Sequence, residues 1–293
     1  MAAAMVESLG RHAAIGGVQS FHRHASSVIG APMRFGVFRP ASCDVHAPAL
    51  IYLAGLTCNE ETFAIKAGAQ RFAAEHGVML ITPDTSPRDT GIGGAKQDWD
   101  FGEGAGFYLD ATREPWSQRF RMESYITGEL IDALVDTFAV DRERISIFGH
   151  SMGGHGALTL ALRHPGMFRS VSAFAPIAAP TQCPWGHKAF TRYLGDRADD
   201  HGAAWSEHDA SVLMRRARRP FPQGILIDQG LADQFLEEQL HPEAFEAACR
   251  EADQPLTLRR HAGYDHGYYF ISTFVSDHIA FHATALAAST RAA

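Results

Sequence analysis

Along the chain, short apolar runs alternate with segments of helical period, and the sharpest join lies between Ile145 and Leu160. Ile145-Ser146-Ile147-Phe148 is short and mostly apolar, the pattern of a parallel strand buried on both faces. The stretch 154–162 reads as a helix with small residues on its near face. Between them stands Gly149-His150-Ser151-Met152-Gly153, so a strand passes through a sharp turn carrying a serine into a helix. The same alternation predicts antiparallel strands at 19–27 and 33–39 joined by a turn at Gly30-Ala31-Pro32. A first core strand follows at 47–54, then a helix at 60–75 with Asn59 as its N-cap. Strands continue at 78–83, 170–174, 224–228 and 255–260, and helices at 125–138, 239–252 and 267–286.

Two long connections interrupt this rhythm, 84–118 and 178–219. Excursions of that length inside a compact domain are more often functional than idle. The first contains Gly102-Glu103-Gly104-Ala105-Gly106, which follows no strand and opens no helix, so it reads as a shaped loop and not a phosphate cradle. No linker or internal repeat breaks the pattern. The expectation is one α/β domain over 17–287, with a mostly parallel central sheet flanked by helices on both faces, after a flexible segment at 1–16.

Composition removes several function classes. A hydrophobic fraction of 46% and a charged fraction of 20% suit a soluble protein with a sizeable core. The formal net charge is −7, and the basic run Arg215-Arg216-Ala217-Arg218-Arg219 fits a helix end better than a nucleic-acid surface. No apolar stretch approaches the ~20 residues of a membrane span, and the N-terminus lacks a basic start followed by an apolar run. A cytoplasmic protein is expected, with no nucleic-acid or membrane partner. Cys43, Cys58, Cys183 and Cys249 form no C-x-x-C, and the 16 histidines no H-E-x-x-H, so neither a metal nor a cofactor is expected. His22 and His24 are expected to share one face of an early strand.

The chemistry starts from Ser151. A serine in a strained turn at a helix N-terminus is exposed to a site that favours negative charge, but it needs a base and a group to orient that base. Both are expected downstream, in the chain order serine, acid, histidine. The acid candidates are Asp228, at a strand end, and Asp233, beyond Gly230 on the following loop. Asp233 is preferred because ligands gather outside the carboxyl ends of parallel strands; Asp228 would then position that loop. The base candidates are His261 and His266; His266 is preferred because a loop precedes it, a helix follows, and glycines on both sides allow close approach. Asp265 is too near in sequence to orient it. The backbone N–H groups of Met152 and Leu56 are the expected oxyanion donors, Gly55 allowing the turn before the second.

These residues sit in stretches that together resemble the S-formylglutathione hydrolases, the esterase D type of α/β-hydrolase. The matching stretches run from Leu53-Ala54-Gly55-Leu56-Thr57-Cys58 through Asp100-Phe101-Gly102-Glu103-Gly104-Ala105-Gly106-Phe107-Tyr108 to the serine turn and Gly154-His155-Gly156-Ala157-Leu158. They continue with Cys183-Pro184-Trp185-Gly186, Asp228-Gln229-Gly230 with Asp233, and Asp265-His266-Gly267-Tyr268-Tyr269-Phe270. The resemblance implies the α/β-hydrolase fold, Ser151, Asp233 and His266 as the triad, and hydrolysis of S-formylglutathione to glutathione and formate in formaldehyde detoxification. It further implies side activity on small acyl esters and, in many members, a homodimer. Asn59-Glu60-Glu61 departs from the family pattern, which bears only on the local helix cap. The same triad would also serve a general short-acyl carboxylesterase. Trp99, Phe101, Phe107, Trp185 and Met152 are candidates to wall the acyl pocket or to pack the core, and Cys58 lies two residues from an oxyanion donor. Lys188 is a weaker candidate for a substrate carboxylate.

Overall fold

The computed structural model describes residues 5–43 and 45–287. Its strands are β1 (Glu7–Ala14), β2 (Gly17–Ser26), β3 (Ala31–Pro40), β4 (Ala47–Leu53), β5 (Met79–Pro83), β6 (Val140–His150), β7 (Val171–Phe174), β8 (Ile225–Gly230) and β9 (Leu256–His261). They form one sheet in the order β1-β2-β3-β5-β4-β6-β7-β8-β9. The first three pair antiparallel, β3 also pairs antiparallel with β5, and from β5 to β9 every pairing is parallel. The chain passes from β4 to β5 on one side and then crosses over β4 to β6 on its other side, so β4 and β6 lie side by side in the sheet. Every residue of β5, β7 and β8 is buried, as expected for parallel strands covered on two sides.

Neighbouring residues of β7 show what covers each face. Ser172 hydrogen-bonds His278 Nδ1 and His282 Nε2, both at 2.7 Å, on the C-terminal helix Tyr268–Ala287. Ala173 points the other way: a Cβ added to Gly154, in the helix Met152–Arg163, would lie 3.4 Å from its methyl group. Successive side chains of a strand alternate faces, so these two helices lie on opposite sides of the sheet. Gln70–His76 packs beside the C-terminal helix, and Ala210–Arg216 beside the serine helix. This is the α/β-hydrolase fold.

Four expectations need correction. Residues 7–14 were expected to be flexible but form β1; residues 1–4 of that segment lie outside the described residues. β1 reads Glu7-Ser8-Leu9-Gly10-Arg11-His12-Ala13-Ala14, with no alternation of apolar and polar positions, so sequence gives no strand signal; the ladder to β2 holds it, with Arg23 2.6 Å from Glu7 across the pair. The expected helix at 60–75 is two helices, Thr62–Lys66 and Gln70–His76, because Gly68 between them adopts φ +65°. The cap position is also not Asn59 but Glu61, which makes no side-chain cap hydrogen bond; Asn59 Oδ1 instead accepts the Glu61 N–H at 3.1 Å in the turn before the helix. The helix expected at 125–138 begins with a π turn, Tyr125–Glu129, before Leu130–Phe138. His22 and His24 share one face as expected, both rings packing on Phe35.

The first excursion folds tightly on itself. A Cβ at Gly102 would stand 2.3 Å from the Ala95 carbonyl oxygen, and one at Gly106 2.7 Å from that of Thr85. Those glycines therefore permit backbone packing. The second excursion carries the helices Pro184–Leu194 and Ala203–Ser206, then Ala210–Arg216, whose last turn holds Arg215 and Arg216 as the basic run suggested.

Candidate active site

Ser151 joins β6 to the helix Met152–Arg163 with φ 56° and ψ −119°, a strained conformation for a residue with a side chain. The turn is held from both sides: the Ser151 N–H donates to Phe174 O at 3.0 Å, and its carbonyl accepts from His155 and Ile177 at 2.9 and 3.2 Å. The flanking glycines are obligatory. A Cβ at Gly149 would lie 2.2 Å from Gly153 O, and one at Gly153 would lie 1.9 Å from Leu53 O. Gly55, after β4, faces the serine, since its Cβ would stand 3.2 Å from that of Ser151. The loop following Gly55 is fixed by Thr57 N–H to Gly104 O at 2.9 Å and Cys58 N–H to Gly55 O at 3.3 Å. Among the described residues the Leu56 N–H between them has no backbone acceptor. Met152 is the first residue of its helix, so its N–H has no intrahelical acceptor either.

Downstream, two aspartate–histidine pairs form side by side. His266 Nδ1 lies 2.5 Å from Asp233 Oδ2. His261 Nε2 lies 3.1 Å from Asp228 Oδ1. The two differ in what else they touch. Asp228 is fully buried and receives Arg259 through both oxygens at 2.6 Å, and His278 at 3.2 Å. Burial alone would raise its pKa, but Arg259 and His278 outweigh it and hold the carboxyl far below the usual range. Asp228 thus anchors β8 to β9 and to the C-terminal helix. Asp233 makes no ion pair with an arginine or lysine among the described residues; its Oδ1 accepts the Phe235 N–H at 2.9 Å.

The His266 pair approaches the serine turn through His150. The ring of His150, the residue before Ser151, is centred 4.4 Å from that of His266. Burial first, and then the neighbouring His266, pushes His150 well below the ordinary imidazole range. Two backbone bonds tie the aspartate loop to the histidine loop, Ala232 N–H to Tyr264 O and Leu231 N–H to His261 O, both 2.9 Å. Asp265 instead closes the turn before the C-terminal helix, accepting the Gly267 N–H at 2.8 Å.

A line of rings leads from the surface to His266. Trp99, 58% exposed, packs edge-on against Trp185 at 5.7 Å; Trp185 meets Phe235 at 4.8 Å, and Phe235 meets His266 at 5.0 Å. Phe235 was not singled out in the sequence, although its place two residues after Asp233 was a usable signal. Phe107 and Phe101, expected as pocket candidates, are fully buried: Phe107 against His155 and Phe190, Phe101 against Trp116 and Tyr193. Met152 is also fully buried, and Cys58 is half-buried. Lys188 is held by Asp100 and by Asp98 at 3.3 Å, and Arg192 reaches Asp98 at 2.8 Å, which latches the two excursions together beside the tryptophans.

A serine in a strained strand-to-helix turn, at the carboxyl edge of a parallel sheet and beside a paired aspartate and histidine, defines an α/β serine hydrolase. Comparison with known proteins narrows the class. The Esterase family model, described as "Putative esterase", matches residues 26–281. The chain is 50% identical over 270 residues to the S-formylglutathione hydrolase of Rattus norvegicus, covering 92% of this chain and 94% of that protein. It is 48% identical over 281 residues to that of Paracoccus denitrificans, covering 96% and 98%. The solved structure of an S-formylglutathione hydrolase from Agrobacterium tumefaciens superposes with a TM-score of 0.91 at 46% identity, over 96% of this chain and 99% of that one. The chain belongs to the S-formylglutathione hydrolase family of esterases.

Proposed function

We propose that the protein hydrolyses S-formylglutathione to glutathione and formate, with Ser151 as nucleophile, His266 as general base and Asp233 as its orienting acid. The observation that carries the triad is the 2.5 Å contact between Asp233 Oδ2 and His266 Nδ1, on a loop whose histidine ring stacks beside the residue preceding Ser151. The substrate is taken from the relatives, which bear that name over nearly their whole length.

His266 Nε2 removes the Ser151 proton as Oγ attacks the formyl carbon. The carbonyl oxygen becomes an oxyanion facing the Leu56 and Met152 N–H groups; one such donor typically lowers the barrier by about 3 kcal/mol. Collapse breaks the C–S bond and releases glutathione as thiolate, which takes the proton from His266. A thiol has a pKa near ~8.5, so this leaving group needs far less protonation than an alkoxide. Water, deprotonated by His266, then attacks the formyl-serine; collapse returns the proton to Ser151 and releases formate. In this scheme Trp99, Trp185 and Phe235 flank the leaving-group side, and Cys58 borders the acyl side. The reaction belongs in a reducing cytoplasm, where glutathione and the free thiols of Cys58, Cys183 and Cys249 are at home. No helix among the described residues is long and apolar enough to cross a membrane.

Reaction in oxygen-18 water tests the proposal. Formate carrying one labelled oxygen, formed in equal amount with glutathione thiol, is the expected product. A formyl ester formed with an added alcohol, in place of labelled formate, would mark an acyltransferase.

A further inference from the structure

Gln229 lies in β8, one residue before Gly230, with no exposed surface. Its Nε2 donates to the Gly230 carbonyl at 3.0 Å and to Asp233 Oδ2 at 3.3 Å. The same Oδ2 meets His266 Nδ1. Both neighbours of Nε2 are acceptors, and this fixes which end of the amide faces the carboxylate. The other end, Oε1, is buried with no hydrogen-bond partner among the described residues. A buried acceptor without a partner carries a desolvation penalty that Leu or Met in the same space would not. What the amide adds over an apolar side chain is therefore its donated bonds, one to the Gly230 carbonyl of its own strand and one that reaches the loop carboxylate of Asp233.

We infer that Gln229 is a positioning residue for this reaction, acting on His266 through Asp233. The inference rests on the triad proposed above. The aspartate is held at three points, by the Phe235 N–H on Oδ1 and by Gln229 and His266 on Oδ2. The Gln229 donor does two things. It fixes the plane of the carboxylate, and so the direction in which His266 presents its second nitrogen. It also draws off part of the negative charge on Oδ2, which moderates how strongly Asp233 stabilises the imidazolium. With that donor removed, the imidazolium is held more tightly, and the base becomes available only at higher pH.

The test compares the parent, Gln229→Met, Gln229→Glu and Ser151→Ala over a range of pH, with p-nitrophenyl acetate and S-formylglutathione as substrates. Gln229→Met is expected to lower kcat roughly tenfold with KM unchanged, and to move the acidic limb of kcat/KM upward by about half a pH unit or more. Gln229→Glu places a second carboxyl against Asp233, and two such groups share one proton. While protonated it replaces the lost donor, so its activity is expected to approach the parent's at the low end of the range and to fall as pH rises. A folded Gln229→Met enzyme with parental kcat and parental acidic limb would overturn the inference. So would a Gln229→Glu enzyme impaired equally at every pH, and that variant decides alone if the Met protein does not fold. Ser151→Ala separates the two claims: activity surviving there removes the triad itself, whereas an inactive Ser151→Ala beside an unaffected Gln229→Met removes only the role of Gln229.

Discussion

Gly230 packs so closely on Tyr264 that a Cβ added to it would stand 2.4 Å from the Tyr264 carbonyl oxygen and 2.8 Å from that of Asp265. The loop bearing the acid and the loop bearing the base are thus one packed unit, with Asp233 three residues beyond this contact and His266 two residues beyond the other side. Gly230→Ala is expected to push the loops apart while β8 stays in the sheet. Displacement of about 1 Å can cost ~10²-fold in rate, so kcat should fall by about that factor with far-UV circular dichroism unchanged. Parental kcat in this variant would mean that the pair does not depend on the contact.

The two aspartates should separate by phenotype. Asp233→Asn leaves the site's shape but denies His266 its orienting charge, and is expected to lower kcat by about 10⁴-fold with little change in thermal unfolding. Asp228→Asn removes the buried carboxylate shared by Arg259, His261 and His278, leaving Arg259 only Asp277, and breaking a buried ion pair typically costs about 3–5 kcal/mol. Its signature is a lower Tm with kcat largely kept at temperatures where it remains folded. Paired measurements of kcat and Tm on the two variants check this; the opposite pattern would make Asp228 the acid and His261 the base.

Much of this was legible beforehand, for physical reasons. The serine turn announces itself because only glycine tolerates the 1.9–2.2 Å approaches at 149 and 153. The buried parallel strands are continuous apolar runs, and sequence reads them well. The preference for Asp233 and His266 over Asp228 and His261 rested on their places in loops; the His266 ring packs 4.4 Å from that of His150, the residue before Ser151. What sequence missed follows from forces it does not display. β1 is an edge strand held by backbone bonds and carries no apolar period. The break at Gly68 depends on one residue's φ. Phe107 and Phe101 are core residues that composition cannot tell from pocket walls, and the Gln229 contact joins residues whose side chains meet only once the loop has turned.

Acid stability should carry the mark of Glu123. Burial would raise this carboxyl, but His164 and Arg163, each 2.8 Å away, outweigh it and hold it at about 2. A pKa depressed in the folded state adds stability that is complete above the unfolded value of about 4.5 and disappears as pH falls toward 2. The contribution is on the order of 3 kcal/mol. Urea unfolding between pH 5 and 2 should show this loss in the parent, and a shallower slope in Glu123→Gln. Identical slopes would remove Glu123 from the account.

Thiol reagents should act through Cys58. Burial raises all three of Cys58, Cys183 and Cys249, the last two to about 12, and only Cys58 of these is half-buried. Alkylation needs the thiolate, so inactivation by iodoacetamide is expected to quicken as pH rises from 7 to 9, and to disappear in Cys58→Ser. A Cys58→Ser enzyme as sensitive as the parent would contradict a place for this thiol at the acyl side.

The most direct test of the central claim is kcat/KM on S-formylglutathione against p-nitrophenyl acetate, for the parent and for Ser151→Ala. The account expects the parent to favour the thioester by orders of magnitude, and Ser151→Ala to lose at least ~10³-fold on both substrates. A parent that favours the acetate ester would make it a general carboxylesterase, and hydrolysis that survives Ser151→Ala would contradict the mechanism.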